Sequence, residues 1–382
     1  MKRIFCIGAV LLLLLPGRAA AAELGAGGKS ACLMDVATGT ILYENNSHEK
    51  LAPASVTKVM TLLLIMEAID SGKIGWEDTV TASETAAAKG GSQVYLKVGE
   101  TMSVTDMVKS IAVSSANDCA CAMAEHIAGS EGAFVERMNA RAAELGMVDT
   151  TFVNCTGLDD GAEAKNHRTS AHDIALMSRE LLKNHPDIKR FTTIWMDTIR
   201  GGAFGLSNTN KLVRFYPGAT GLKTGFTSGA GYCLSATAQR EGMELIAVVM
   251  GAQTSDIRNA ACKQLLDYGF ANYALISPEL TEAEPVPVKL GKVKSVDARL
   301  GDGGSLLVDK AQRSGITTEL QMEPMVTAPV SQGQRLGTLR LKSGEQVLKE
   351  VPLVAAEGVE RLSWGSLFCI VLSRAAMAKQ LT

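Results

Sequence analysis

The chain has no surplus of either charge: 38 Lys and Arg stand against 40 Asp and Glu in 382 residues, a formal net charge of −2. A nucleic-acid binder needs a basic stripe to neutralise phosphates, so that class is excluded. Histidine is scarce. His48, His126, His167, His172 and His185 form no H-x-x-x-H pair and no H-E-x-x-H motif, and His167 and His172 read as structural. A metalloenzyme is excluded by its ligands, and no metal or cofactor is expected. Eight cysteines contain no C-x-x-C pair, and Cys119 and Cys121 cannot close on each other within a helix. They are not a disulfide framework; most read as small buried apolar residues, with room for one bridge that the sequence does not identify. Disorder is excluded as well, since 46% of residues are hydrophobic and only 20% charged. There is no internal repeat and no low-complexity tract.

Long apolar runs are also missing, apart from two short ones at the ends. Lys2 and Arg3 precede the run Ile4 to Leu15, Pro16-Gly17 breaks it, and Ala20-Ala21-Ala22 follows. That order is a secretory signal with cleavage after Ala22. The run is shorter than the roughly 20 apolar residues a spanning helix needs. Cys6 lies inside the run and is not a lipid-anchor site. At the far end, Ser363 to Ser373 carries no charge, with Arg361 before it and Arg374 and Lys379 after it. As a helix it would reach only about 16 Å, too short to span. Trp364, Leu367, Phe368, Val371 and Ala375 would share one face, as in a helix lying in a membrane interface. The export signal places the mature chain outside the cytoplasm, and this segment would hold it to the membrane surface.

Between these ends the pattern indicates an α+β domain over 23–275. A hairpin is expected over 30–45. A helix apolar all round is expected over 55–71, which places it at the centre of the domain. Helices follow at 104–113, 117–128, 131–145 and 170–184, then strands at 219–225, 231–239 and 243–251, and a helix near 256–272. A sheet built from both ends of the domain thus flanks a helical middle. Residues 276–356 show short alternating runs broken by glycine and proline, the pattern of a small all-β domain. Residues 357–382 form the anchoring segment.

Three motifs stand in order. In Ser55-Val56-Thr57-Lys58, the serine and lysine are three apart, so both side chains share one helix face. A serine hydroxyl needs an adjacent base, and Lys58 can act only when neutral, so burial and a nearby cation such as Lys223 must lower its ordinary pKa of about 10.4. The N-terminus of that helix also favours a developing anion at Ser55. Ser115-Ala116-Asn117 lies between two helices, where it could instead serve as a cap. Lys223-Thr224-Gly225 lies on a strand, where Lys223 could instead be a protective edge charge. Gly225, and similarly Gly221, would let a substrate backbone approach that edge and add as a strand. Lys223 and Thr224 could then hold a terminal carboxylate.

The set Ser-x-x-Lys, Ser-x-Asn, Lys-Thr-Gly resembles that of penicillin-binding proteins and serine β-lactamases. The surrounding stretches resemble the low-molecular-mass penicillin-binding D-alanyl-D-alanine carboxypeptidases: Ala52 to Lys58, Ser115 to Asp118, Asn208 to Lys211, Thr220 to Thr227, and Phe152 to Asp173. The resemblance covers about 28–275, and the β-rich part and terminal segment resemble that family's second domain and anchor. It implies a penicillin-binding, β-lactamase-like transpeptidase fold, an antiparallel sheet with a helical cluster. It implies an acyl-enzyme on Ser55 with Lys58 as base, Ser115 shuttling protons, and Asn117, Lys223, Thr224 and Gly225 lining the substrate site. The backbone N–H groups of Ser55 and Phe226 would form the oxyanion hole, and Arg258 would help hold the substrate carboxylate. Phe226 departs from relatives that carry a polar residue there. The partners implied are peptidoglycan stem peptides ending in D-Ala-D-Ala and β-lactams that acylate the same serine. A β-lactamase is the rival; Glu125, Glu131, Glu136, Glu144 and Glu163 follow Ser115, but none has the context of a deacylating glutamate. A transpeptidase or endopeptidase acting on cross-links, and a non-catalytic wall-binding protein, compete with it less strongly.

Overall fold

The computed structural model describes residues 24, 27–280, 283–301 and 303–369. The expected signal segment 1–22, and residues 370–382 of the expected anchor, lie outside the described residues.

One five-stranded antiparallel sheet organises the first domain: β1 (Ser30–Asp35), β2 (Ile41–Asn45), β3 (Ala219–Thr227), β4 (Gly231–Arg240) and β5 (Met243–Ala252), in the spatial order β2-β1-β5-β4-β3. The pairing of β1 with β5 runs in register from Ser30 with Met250 to Asp35 with Leu245. Side chains alternate between two cores because strand side chains alternate between faces. Met34, Ile246 and Val248 join the helical cluster, whereas Leu33, Leu245 and Val249 pack on the helix α6 (Ser255–Asn272) through Cys262, Leu265 and Leu266. Both faces of the sheet are covered, which explains why β5 reads as a continuous apolar run.

The helical cluster holds α1 (Lys58–Asp70), α2 (Val104–Ser114), α3 (Asn117–Ala128), α4 (Glu131–Glu144) and α5 (Ala171–Asn184). Val59 to Met66 of α1 are all buried, as a helix apolar on every side requires. Ser103, Ser130 and Ser170 cap α2, α4 and α5 through their hydroxyls. The expected helix over 55–71 differs at its start. Ala54–Thr57 is a 3-10 turn, and the α-helix begins at Lys58. The cause is the segment through Gly157, which crosses so near the turn that a Cβ there would lie 1.8 Å from the Ala54 carbonyl oxygen. Two short strand pairs are too brief to read from sequence: Thr79–Thr81 with Thr101–Ser103, and Met196–Ile199 with Phe204–Ser207.

Beyond α6 the chain is mainly β up to residue 361, with one 3-10 helix at Lys310–Gly315. A four-stranded and a three-stranded sheet enclose two small cores, one around Leu336 and Val359, the other around Leu339 and Leu353. Tyr273–Ile276 pairs with Leu306–Asp309, so the β-rich region is stitched to the end of α6 by a ladder. Residues 364–369 are helical, with Trp364 86% and Phe368 66% exposed. No helix among the described residues is long and apolar enough to cross a membrane. None of the seven cysteines among the described residues is in a disulfide; six are buried and Cys369 is exposed.

Candidate active site

Three elements meet at the free edge of β3. The 3-10 turn presents Ser55, the α2–α3 junction presents Ser115 and Asn117, and β3 presents Lys223, Thr224 and Gly225. The strand comes so close to the turn that a Cβ on Gly225 would lie 2.6 Å from the Pro53 carbonyl oxygen and 3.1 Å from the Ser55 nitrogen. Gly225 is therefore required by its own chain. A Cβ on Gly221 would likewise meet Thr192 at 2.9 Å. The space beside both glycines where a side chain would stand is therefore filled by protein.

Lys58 is fully buried, with Nζ 3.0 Å from Ser55 Oγ and 2.7 Å from the Thr156 carbonyl oxygen. Burial lowers its pKa to about 7, against the opposing pull of Cys155 and Asp118. A neutral amine has two N–H bonds and one lone pair. The Thr156 carbonyl takes one N–H, which leaves the lone pair free to face the serine hydroxyl.

The turn itself is strained and braced. Ala54 has φ 47°, a region that disfavours side chains and that persists only where surrounding structure enforces it. Thr57 Oγ1 donates to the Ala54 carbonyl and lies 2.7 Å from His167 Nε2, while the Val153 N–H donates to His167 Nδ1. These contacts put the ring proton on Nε2, donating to Thr57. Burial, helped by Arg168 and Lys58, pushes the His167 pKa down to about 4, so the ring stays neutral. His167 is structural, in line with its sequence context, but what it braces is the turn that carries Ser55.

Ser115 occupies the left-handed region, φ 63°, at the end of α2. Its hydroxyl is buried and has no hydrogen-bond partner among the described residues, so it caps none of their helices. Asn117 donates its amide to the Gly90 carbonyl at 2.7 Å and leaves Oδ1 buried without a partner among the described residues. Unsatisfied buried polar atoms are costly and rare, and two of them within one three-residue motif mark a place prepared for a ligand.

Lys223 is buried, not a solvated edge charge, and donates to the Thr224 carbonyl at 2.9 Å. Burial first, then Lys58 and Arg258, holds its pKa well below the ordinary lysine range. The Thr224 hydroxyl shares a 2.6 Å hydrogen bond with Thr209. Arg258 is buried, rests on Asn259 Oδ1 and lies 5.8 Å over the Tyr232 ring. No carboxylate pairs with Lys58, Lys223 or Arg258 among the described residues. Phe226 is 53% exposed and stacks on Tyr232 at 4.2 Å. Ser55 and Lys58 thus meet directly, Gly225 packs on the Ser55 turn, Lys58 and Arg258 both act on the charge of Lys223, and Thr209 ties Thr224 to the Val113 carbonyl at the end of α2, two residues before Ser115.

The groups that sequence does not single out are mainly backbone or supporting ones. The Thr156 carbonyl and Gly157 lie in the Phe152 to Asp173 stretch, whose resemblance covers it as a block and assigns no role within it. Asp118 accepts the Val94 and Leu96 N–H groups and so fixes the wall next to Asn117.

A family model described as D-alanyl-D-alanine carboxypeptidase matches residues 18–254, and one described as the penicillin-binding protein 5 C-terminal domain matches residues 279–361. The chain is 44% identical over 377 residues to the D-alanyl-D-alanine carboxypeptidase DacF of Bacillus subtilis, covering 94% of this chain and 95% of that protein. It is 34% identical over 341 residues to DacC of Escherichia coli, covering 86% and 83%. The structure is similar to penicillin-binding protein 5 of Haemophilus influenzae, with TM-score 0.69, 30% identity and 88% and 98% of the two chains covered. It is also similar to the ampicillin-bound form of penicillin-binding protein D2 of Listeria monocytogenes, with TM-score 0.59, 32% identity and 65% and 99% coverage.

Proposed function

The chain belongs to the D-alanyl-D-alanine carboxypeptidase family, and from that premise we propose that Ser55 is its acylated nucleophile and Lys58 its general base. It is a serine-type D-Ala-D-Ala carboxypeptidase with a role in peptidoglycan. The observation that carries the residue roles is the buried Lys58 amine, 3.0 Å from Ser55 Oγ with its pKa lowered to about 7.

Neutral Lys58 takes the Ser55 proton as Oγ attacks the carbonyl carbon of the penultimate D-alanine. The oxyanion is held by the N–H groups of Ser55 and Phe226; one such donor typically contributes about 2.7–4 kcal/mol. Ser115 passes the proton to the leaving amine, the C–N bond breaks, and the terminal D-alanine departs. Water then attacks the ester with the same groups as base and acid, releasing the shortened peptide and free Ser55. Lys223, Thr224 and Arg258 hold the terminal carboxylate, which would give the unpaired cations their counter-charge. The Asn117 Oδ1 accepts from the substrate amide. β-Lactams, one of which is bound in the structure of a relative, acylate the same serine here.

Time-resolved intact-mass spectrometry with benzylpenicillin, beside Ser55→Ala, tests the roles. A slowly decaying adduct on the wild type and none on the variant is expected. Rapid loss of the adduct with consumption of penicillin would move the assignment to a β-lactamase, and a folded protein with no adduct would favour a wall-binding role.

Two further readings accompany this one. The N-terminal segment is a signal for export, and residues 357–382 hold the enzyme to the outer face of the cytoplasmic membrane. The two exposed aromatics Trp364 and Phe368, one helical turn apart, support the second. Removing 357–382 should shift the mature protein from the membrane fraction to the soluble one; unchanged fractionation would refute the anchor.

A further inference from the structure

One exposed tyrosine on the segment bonded to Asn117 is held in an expensive backbone conformation. Tyr95 has φ 60°, an outlier for a bulky side chain, yet its ring is 68% exposed. Its neighbours point inward: Val94 and Leu96 are buried, and both donate their N–H groups to Asp118, at 3.1 and 3.0 Å. Arg200 clamps the other side, donating to the Val94 carbonyl at 2.8 Å and anchored by Glu100 at 2.7 Å. Phe204 meets the Tyr95 ring edge-on at 6.5 Å, with Arg200 stacked 5.3 Å from Phe204. The segment is also tied directly to the site, because the Asn117 N–H donates to the Ser92 carbonyl and the Asn117 amide to Gly90. Hydrogen bonds on both sides therefore fix the outward-facing ring to the wall that carries Asn117. Strain that persists under such bracing, at the edge of a site, points to a functional contact.

Resting on the role given to Ser55 above, we propose that Tyr95 is a specificity residue that contacts the acyl-donor half of the stem peptide, the part upstream of the penultimate D-alanine. The leaving group is a single alanine whose carboxylate is matched by the buried cations, so it ends inside the cleft. Only the acyl half is long enough to emerge at the rim. There Tyr95 offers an apolar face with a polar tip on the segment bonded to Asn117, and Phe226, next to Gly225 on β3, is a second exposed aromatic. Contacts remote from the reacting bond act on binding of longer substrates more than on the chemistry.

The test compares D-alanine release from L-Ala-γ-D-Glu-L-Lys-D-Ala-D-Ala and from acetyl-D-Ala-D-Ala. Tyr95→Asn removes the ring while keeping a residue that accepts positive φ. The wild-type preference for the longer peptide should narrow by about tenfold, through KM and not kcat, as loss of one aromatic contact of about 1.4 kcal/mol predicts. Tyr95→Phe should restore the preference. An unchanged preference, or an equal loss on both substrates, would overturn the assignment. Titration of Ser55 by the side-chain-free penicillin nucleus, on the same samples, keeps the outcomes separate: wild-type protein that is not acylated sinks the role of Ser55, not that of Tyr95 alone.

Discussion

Two groups of cations lie towards opposite ends of α1 and are treated in opposite ways. Near its end, Arg141 of α4 is surrounded by carboxylates: Glu67 at 2.7 Å, Glu180 at 2.5 Å and Glu144 at 3.0 Å. Glu67 and Glu180, which with His185 could in principle ligate a metal, are already occupied by this guanidinium. At its start, Lys58, Lys223 and Arg258 are more deeply buried and share no carboxylate among the described residues. Burial of unpaired charge opposes folding, so a stability argument alone would have placed carboxylates beside the second group as beside the first. Their absence leaves Lys58 able to be a base and leaves Lys223 and Arg258 ready for an anion supplied by substrate.

The most severe way to break the contrast is Lys58→Met. Acylation by benzylpenicillin should fall by about 10²–10⁴, the range general-base catalysis provides. The same variant should be more stable, by at least about 1 kcal/mol, because a buried cation is gone. The sign with pH follows from a folded pKa of about 7 against the ordinary 10.5. The destabilisation by Lys58 is fully present below about 7 and fades as pH rises towards 10.5, so the gain in Tm should be largest at acidic pH. Loss of both activity and stability would show that Lys58 is mainly structural.

Next in size is Gly225→Ala. Its methyl would press on the Pro53 carbonyl and the Ser55 nitrogen, displacing the nucleophile from Lys58. Acylation should drop about 100-fold, while circular dichroism retains the wild-type fold. Wild-type acylation by this variant would mean that the turn tolerates the displacement.

Lys223→Met sharpens the electrostatic part. Lys58 contributes to the depression at Lys223 after burial, whereas burial alone lowers Lys58. Removing Lys223 should therefore leave the midpoint of the acylation pH profile near 7, measured with saturating penicillin so that weaker binding does not mask it. A midpoint that rises in the variant would show that Lys223 also disfavours the charge on Lys58.

The smallest effect belongs to the other end of α1. Arg141→Met should lower stability by about 1 kcal/mol, read by urea denaturation, with acylation at Ser55 unaltered. A change in acylation rate would show that the two ends of the helix are coupled.

Much of the fold and the site is legible in the sequence. The all-round apolarity from Val59 to Met66 indicates a central helix, strand periodicity indicates 231–239 and 243–251, and the three motifs in order indicate the chemistry. Less legible are the elements that side-chain pattern does not encode. The hairpin of Met196–Ile199 with Phe204–Ser207 is too short to show alternation, and the start of the central helix is a 3-10 turn because a distant segment presses on it. Gly225 is conspicuous in sequence, yet that the Ser55 turn fills the place of its side chain is not. A sequence shows that a side chain is missing but not what fills the space.

The sequence by itself determined the residue types and their local spacing, because periodicity, capping and the three-residue step from Ser55 to Lys58 act over a few residues. That was enough for the fold class, and the resemblance carried by the three motifs supplied the reaction type. Tertiary structure alone decided the protonation and the geometry. Lys58 is a usable base because a carbonyl 98 residues away takes one of its N–H bonds and the surrounding core excludes water. Desolvation and backbone hydrogen bonding are properties of a packed neighbourhood, and no local run of residues contains them.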